Sequence, residues 1–152
     1  MRTREYDALI GARIWAIYMG DEQLVFDTDR GRIGYRVEGD CCSTSYFFDF
    51  YGVANLLAGE PVTAFEAVEL APGDVGYRPE TWEKGVGTIV RDADEIQVYG
   101  YRLTTSHPVF GEVSAVVSFR NSSNGYYGGW MSLMDNPRLS DSLRPVVEDV
   151  IG

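Results

Sequence analysis

Residues 12–19 read ARIWAIYM, and beyond Arg13 the run carries no charge. A stretch this continuously apolar suits a strand covered on both faces. Residues 20–38 make that strand the first of a meander. Gly20 and Asp21 supply turn residues, EQLVFDTD reads as a second strand, and Asp29 to Gly31 form the next turn. In DRGRIGYRVEG the alternation is clean, with Ile33, Tyr35 and Val37 on one face and Arg32, Arg36 and Glu38 on the other. Residues 12–38 are therefore expected to form three antiparallel strands.

After GDCCS the period changes. Phe50, Val53, Ala54 and Leu57 fall at i, i+3, i+4 and i+7, one stripe of a helix, with Ser43 or Ser45 as its cap and Gly59 and Pro61 as its stop. Gly52 inside that helix costs about 1 kcal/mol relative to Ala. A strand over 62–70 is expected next, then a polar loop at 71–87 with two prolines and four glycines, long enough to suggest mobility or function. Residues 94–134 predict a second meander of DEIQVYGYRLTT, GEVSAVVSFRN and YYGGWMSLM, whose middle strand sets Val113, Ala115, Val117 and Phe119 on one face. Leu139, Leu143, Val146, Val147 and Val150 recur at helical spacing, with Ser142 able to cap and Pro145 tolerated in a first turn. They predict a short C-terminal helix, or a tail that becomes helical on a partner.

The expected fold class is α+β: two antiparallel three-stranded meanders in one mostly antiparallel sheet, a main helix between them and a short helix at the C-terminus. No internal repeat or low-complexity linker divides the chain, and 152 residues at 45% hydrophobic content suffice for one core, so residues 1–152 are read as a single domain.

Charge narrows the function. With 23 acidic against 13 basic residues the net charge is −10, a field that repels nucleic acid and anionic membrane surfaces. A basic protein surface is a better partner; a DNA mimic fits the sign, although the acidic residues form no long run. No apolar stretch approaches a membrane span, and MRTREYDALIG lacks the pattern of a secretory signal, so a cytoplasmic location is expected. The adjacent Cys41 and Cys42 fit a reducing compartment, because cysteines that staple a secreted domain are spaced apart.

Residues that could carry chemistry are few. Two neighbouring cysteines and a single histidine, His107, do not make a tetrahedral zinc site. Cys42 or Cys41 with His107 would suit a thiolate–imidazole couple, the thiolate activated at the start of the expected helix. The competing reading is a pair of buried cysteines packed as small apolar residues. His107 itself, in TSHPVFG, reads as an exposed turn residue. Carboxylates at Glu66, Glu69, Asp92, Asp94 and Glu95 read as solvated strand and turn positions, DADE is too short for a calcium loop, and neither GDVG nor KGVG matches a phosphate-binding fingerprint. No metal, no cofactor and no catalytic residue is assigned.

The stretch NSSNGYYGGW, residues 121–130, holds the remaining signal. Asn124 and Gly125 suit the two positive-φ positions of a type I′ hairpin turn. Gly128 and Gly129 within a strand mark a bulge or a place where another backbone or a ligand comes close. Tyr126, Tyr127 and Trp130 are rings of the kind enriched at interfaces. Alternatively the glycines accommodate a neighbouring aromatic, or the DCCS junction, inside the core.

GDCCS leading from a meander into a helix, combined with FRNSSNGYYGGW at 119–130, resembles a small domain of unknown function found in bacteria and their phages, including actinobacterial phages. The resemblance runs from about Leu9 to Leu133. It leaves out MRTREYD, part of the 71–87 loop, and the C-terminal extension at 135–152. What it implies is a phage accessory protein acting in the cytoplasm of the infected cell. Such a protein would bind and modulate a host or defence protein without turnover. Should the two motifs meet in space, Asp40, Ser43, Arg120, Asn124, Tyr126, Tyr127 and Trp130 form the binding surface. Two alternatives stay open: a sponge for a small nucleotide-like ligand held between Tyr126, Tyr127, Trp130 and Arg120, and a cysteine-dependent enzyme. Exposed strand edges and many aromatics also allow a homodimer.

Overall fold

The first meander forms as its alternation requires. β1 (Ile14–Met19), β2 (Gln23–Thr28) and β3 (Gly31–Gly39) pair in sequence, all antiparallel. Ile14, Ile17, Leu24, Phe26, Tyr35 and Val37 are buried on one face. β1 is not covered throughout on its second face, because Trp15 is exposed. The computed structural model describes residues 6–40, 43–70, 74, 95–123 and 128–151.

The strands after β3 do not extend that sheet in order. β4 (Thr44–Tyr51), β5 (Val62–Val68), β6 (Glu95–His107) and β7 (Gly111–Ser123) make a second antiparallel sheet in the order β4-β7-β6-β5. β8 (Gly129–Leu133) returns to the first sheet beside β3, and β9 (Arg144–Pro145) adds to its other edge beside β1, giving the order β8-β3-β2-β1-β9. The two sheets share one core: Phe47, Phe65, Leu103, Val117 and Phe119 of the second pack with Ile17, Phe26, Tyr35 and Met131 of the first. Phe65 meets the Tyr35 ring edge-on at 5.3 Å across the sheet interface. The fold is thus an all-antiparallel β-sandwich.

Four expectations are corrected. The single continuous sheet is two sheets. The main helix is mostly β4, a run of aromatic and polar residues (TSYFFDFY) that suits a pleated surface better than a helix. Its apparent stripe is shared between elements. Phe50 enters the core from a strand with a register shift between Phe47 and Phe50, while Val53 and Leu56 enter from a four-residue helix, α1 (Val53–Leu56). Gly52, at φ 77°, breaks the strand between them. The C-terminal helix is absent too: the tail is extended and Pro145 sits in an edge strand, where a missing N–H is tolerated. Finally, β7 and β8 belong to different sheets and do not pair, so they do not form the hairpin expected around Asn124 and Gly125. With so little helix among the described residues, the α+β class gives way to a mostly β fold.

One end of the sandwich is tied at the turn before β1. Arg13 forms a bridge with Pro61, Gly11 N–H donates to Val62 O at 2.7 Å, and Val62 N–H donates to Ala12 O at 2.9 Å. At the opposite end the core gives way to polar groups, and there the two sequence motifs meet.

Candidate functional site

β3 and β8 pair so that Gly39 stands opposite Gly129. Their bare backbone lets β4 and β7 approach closely. A Cβ on Gly39 would stand 2.5 Å from Ser43 Oγ, and one on Gly129 would run into Ser45 Oγ and stand 2.9 Å from the Glu38 carbonyl oxygen. Into that space fits a closed hydrogen-bond cluster. Ser43 Oγ donates to Asp40 O at 2.6 Å and Ser45 Oγ donates to Glu38 O at 2.9 Å. Each hydroxyl has spent its proton, so each accepts from Asn121 Nδ2, at 3.1 and 2.9 Å. The amide orientation is set by this, and Asn121 Oδ1 is left as a buried acceptor with no hydrogen-bond partner among the described residues. Asp40 and Gly128 close the rim: Asp40 N–H donates to Gly128 O at 3.0 Å, and Gly128 N–H donates to Asp40 Oδ2 at 3.1 Å.

The motifs GDCCS and NSSNGYYGGW therefore meet, through Asp40, Ser43, Asn121, Gly128 and Gly129. The glycines serve packing: Gly39 and Gly129 accommodate Ser43 and Ser45, and a Cβ on Gly128 would stand 2.8 Å from Tyr99 Oη. Asn121 completes this cluster and was not among the residues singled out; its place beside Arg120 in FRNSS gave no sign that the two side chains part company.

Arg120 is elsewhere. Phe119 points into the core, so Arg120 points out of the second sheet's far face, where it is fully buried. Its guanidinium lies 4.4 Å from the Phe48 ring centroid, 3.9 Å from Asp49 Oδ2 and 3.2 Å from Ser118 Oγ. Asp49 is fully buried as well, which makes this an internal ion pair with a stacked ring. Trp130 lies opposite Glu38 on the outer face of the first sheet, beside a small groove of about 280 Å³ lined by Arg36, Glu38, Ser132, Leu133, Met134 and Asp135. Both sheets separate Trp130 from Arg120, so the two do not clamp one ligand as the sponge reading required. Asn124, Tyr126 and Tyr127 lie outside the described residues, as do Cys41, Cys42 and most of the 71–87 loop.

His107 lies far from Ser43, the described residue that follows Cys41 and Cys42 in the sequence. Ser43, next to Cys42, is bonded to Asn121 on the Gln97 rung of the β6–β7 ladder, while His107 lies on the Gly111 rung. Ten rungs separate the two, about 33 Å at strand spacing. His107 is also committed locally: its Nδ1 accepts the N–H groups of Val109 at 3.0 Å and Phe110 at 3.1 Å.

That use of His107 uncovers a second surface, away from the two sequence motifs. β4 and β5 leave the β6–β7 hairpin before its end, and residues 106–112 project beyond the sheet. At the tip Val109 and Phe110 are 78% and 77% exposed. The Phe110 ring stacks on His107 with centroids 4.7 Å apart. Two adjacent large apolar side chains in a turn between Pro108 and Gly111 were the available signal. A rigid apolar knob of this kind is what a protein interface selects. No group of three or more potential metal ligands occurs among the described residues. No helix among the described residues is long and apolar enough to cross a membrane.

Comparison with protein-family models, curated proteins and solved structures found no match.

Proposed function

We propose that this protein is a non-enzymatic binding module that engages a protein partner through the tip of the β6–β7 hairpin. The observation that carries the reading is the exposure of Val109 and Phe110 on a turn held rigid by His107. An ordered apolar knob loses little conformational freedom on docking, which favours affinity. The net charge of −10 favours a partner with a basic rim around an apolar socket. On the resemblance drawn from the sequence, the protein is a phage product in the host cytoplasm and the partner a host or defence protein.

Capture from host cells with the wild-type chain, Phe110→Asp and Trp130→Asp tests the assignment of the surface. Loss of the partner on Phe110→Asp and its retention on Trp130→Asp are expected. The opposite pattern would move the interface to the outer face of the first sheet and refute the tip.

A further inference from the structure

The C-terminal tail takes a long route. β8 ends at one edge of the first sheet and β9 lies at the other, so residues 134–143 cross the sheet's outer face from edge to edge. Met134 N–H donates to Gly34 O at 2.8 Å as the crossing begins. A Cβ on Gly34 would stand 2.7 Å from Pro137 Cβ, and one on Gly20 would stand 2.9 Å from Ser142 O; these two glycines let the tail lie flat. The tail then runs between the open edges of the two sheets. Arg144 and Pro145 pair with Met19 and Tyr18, and Val146 N–H donates to Ile17 O at 2.7 Å. Phe50 and Val150 exchange two hydrogen bonds of 2.9 Å, and Val53 N–H donates to Asp149 Oδ1 at 3.0 Å.

The tail reaches the core at a few points: Val146 joins the buried apolar cluster, Val150 packs against it and Leu143 is buried. The β1 edge needs this cover: IWAIYM has no charge and exposes Trp15, the kind of edge that recruits another strand.

We propose that the channel between the β1 and β4 edges is a docking site for an extended segment. Its occupant exchanges between the chain's own residues 143–150 and the same residues of a second copy, giving a strand-exchanged dimer. Every contact of the tail is remade in the exchanged state, so the two states differ only at the crossover. The crossover is built as a hinge. Asn136 has a left-handed φ of 48°, and past Met134 a local bond from Leu143 N–H to Ser140 O holds its backbone. This exchange is independent of the hairpin tip.

Size-exclusion chromatography with light scattering tests it on the full chain, on a variant lacking residues 137–141, and on Val146→Asp. Met134, beside Gly34 in line with β8, and β9 are four strand spacings apart, about 19 Å. The shortened crossover spans about 17 Å at full stretch, too little to rise over the face and descend beyond β1. The full chain should shift from monomer toward dimer as concentration rises. The shortened variant should show twice the chain mass throughout, and Val146→Asp should lose the dimer. A monomeric shortened variant with an unchanged far-UV spectrum, or a dimer that Val146→Asp leaves intact, overturns the proposal. Should the shortened variant fail to fold, the full chain with p-benzoylphenylalanine in place of the exposed Val147 decides. Crosslinks between chains that grow with concentration support exchange, and crosslinks confined to single chains at every concentration refute it.

Discussion

Gly129→Ala places one methyl group where the sandwich has no room. The added Cβ would collide with Ser45 Oγ and stand 2.9 Å from Glu38 O and 3.2 Å from Asn121 Nδ2. None of the three yields easily. Glu38 O is backbone, Ser45 Oγ is tied to that same carbonyl, and Asn121 Nδ2 is tied to both serines. Overpacking of this kind costs about 1–3 kcal/mol, and a displaced Ser45 loses a hydrogen bond of about 1 kcal/mol. The stiffer unfolded chain returns about 0.4–1 kcal/mol. The net destabilisation is about 1–3.5 kcal/mol. Urea unfolding should show it as a midpoint lowered by about 0.5–1.8 M at a slope near 2 kcal/mol/M. Ser45→Ala removes the colliding oxygen, so the double variant should recover at least about 1 kcal/mol relative to additivity. A Gly129→Ala protein as stable as wild type, or strict additivity with Ser45→Ala, would refute the packing account of the glycine rung.

Other changes should separate structure from binding. Phe110→Asp alters an exposed tip and should leave stability within about 0.5 kcal/mol while abolishing partner capture. His107→Ala removes the acceptor that orders the tip; calorimetry should register a loss of at most about 1 kcal/mol, with weaker capture. Arg120→Ala removes the cation beside the buried Asp49 carboxylate and should cost about 3–5 kcal/mol in denaturant unfolding, whereas Arg120→Met combined with Asp49→Leu should recover much of that loss.

Local pattern made the first meander legible, because Ile33, Tyr35 and Val37 can share a face only in a strand. The same logic located β6 and β7. It failed at Phe50, Val53 and Leu57, where a bulged strand followed by one helical turn imitates a longer helix, and at Val146 and Val150, where two separate strand contacts imitate helical spacing. Sheet membership was not legible at all: nothing in GGWMSL says that its partner is β3 rather than the preceding β7. In the sequence the meeting of GDCCS with NSSNGYYGGW is a condition and not a prediction, and packing is one of two roles open to the glycines. The separation of Arg120 from Trp130 is not legible there, because it depends on which sheet each strand joins. In TSHPVFG Val109 and Phe110 stand in a turn, and their projection depends on where β4 and β5 end, which the sequence does not show.

Whether the chain binds a protein is decided by mass spectrometry of proteins and small molecules in one eluate, from the tagged full chain captured under mild conditions in host cells. A single enriched protein that disappears with Phe110→Asp is expected. A stoichiometric small molecule released on denaturation, with no protein partner, would contradict the binding module.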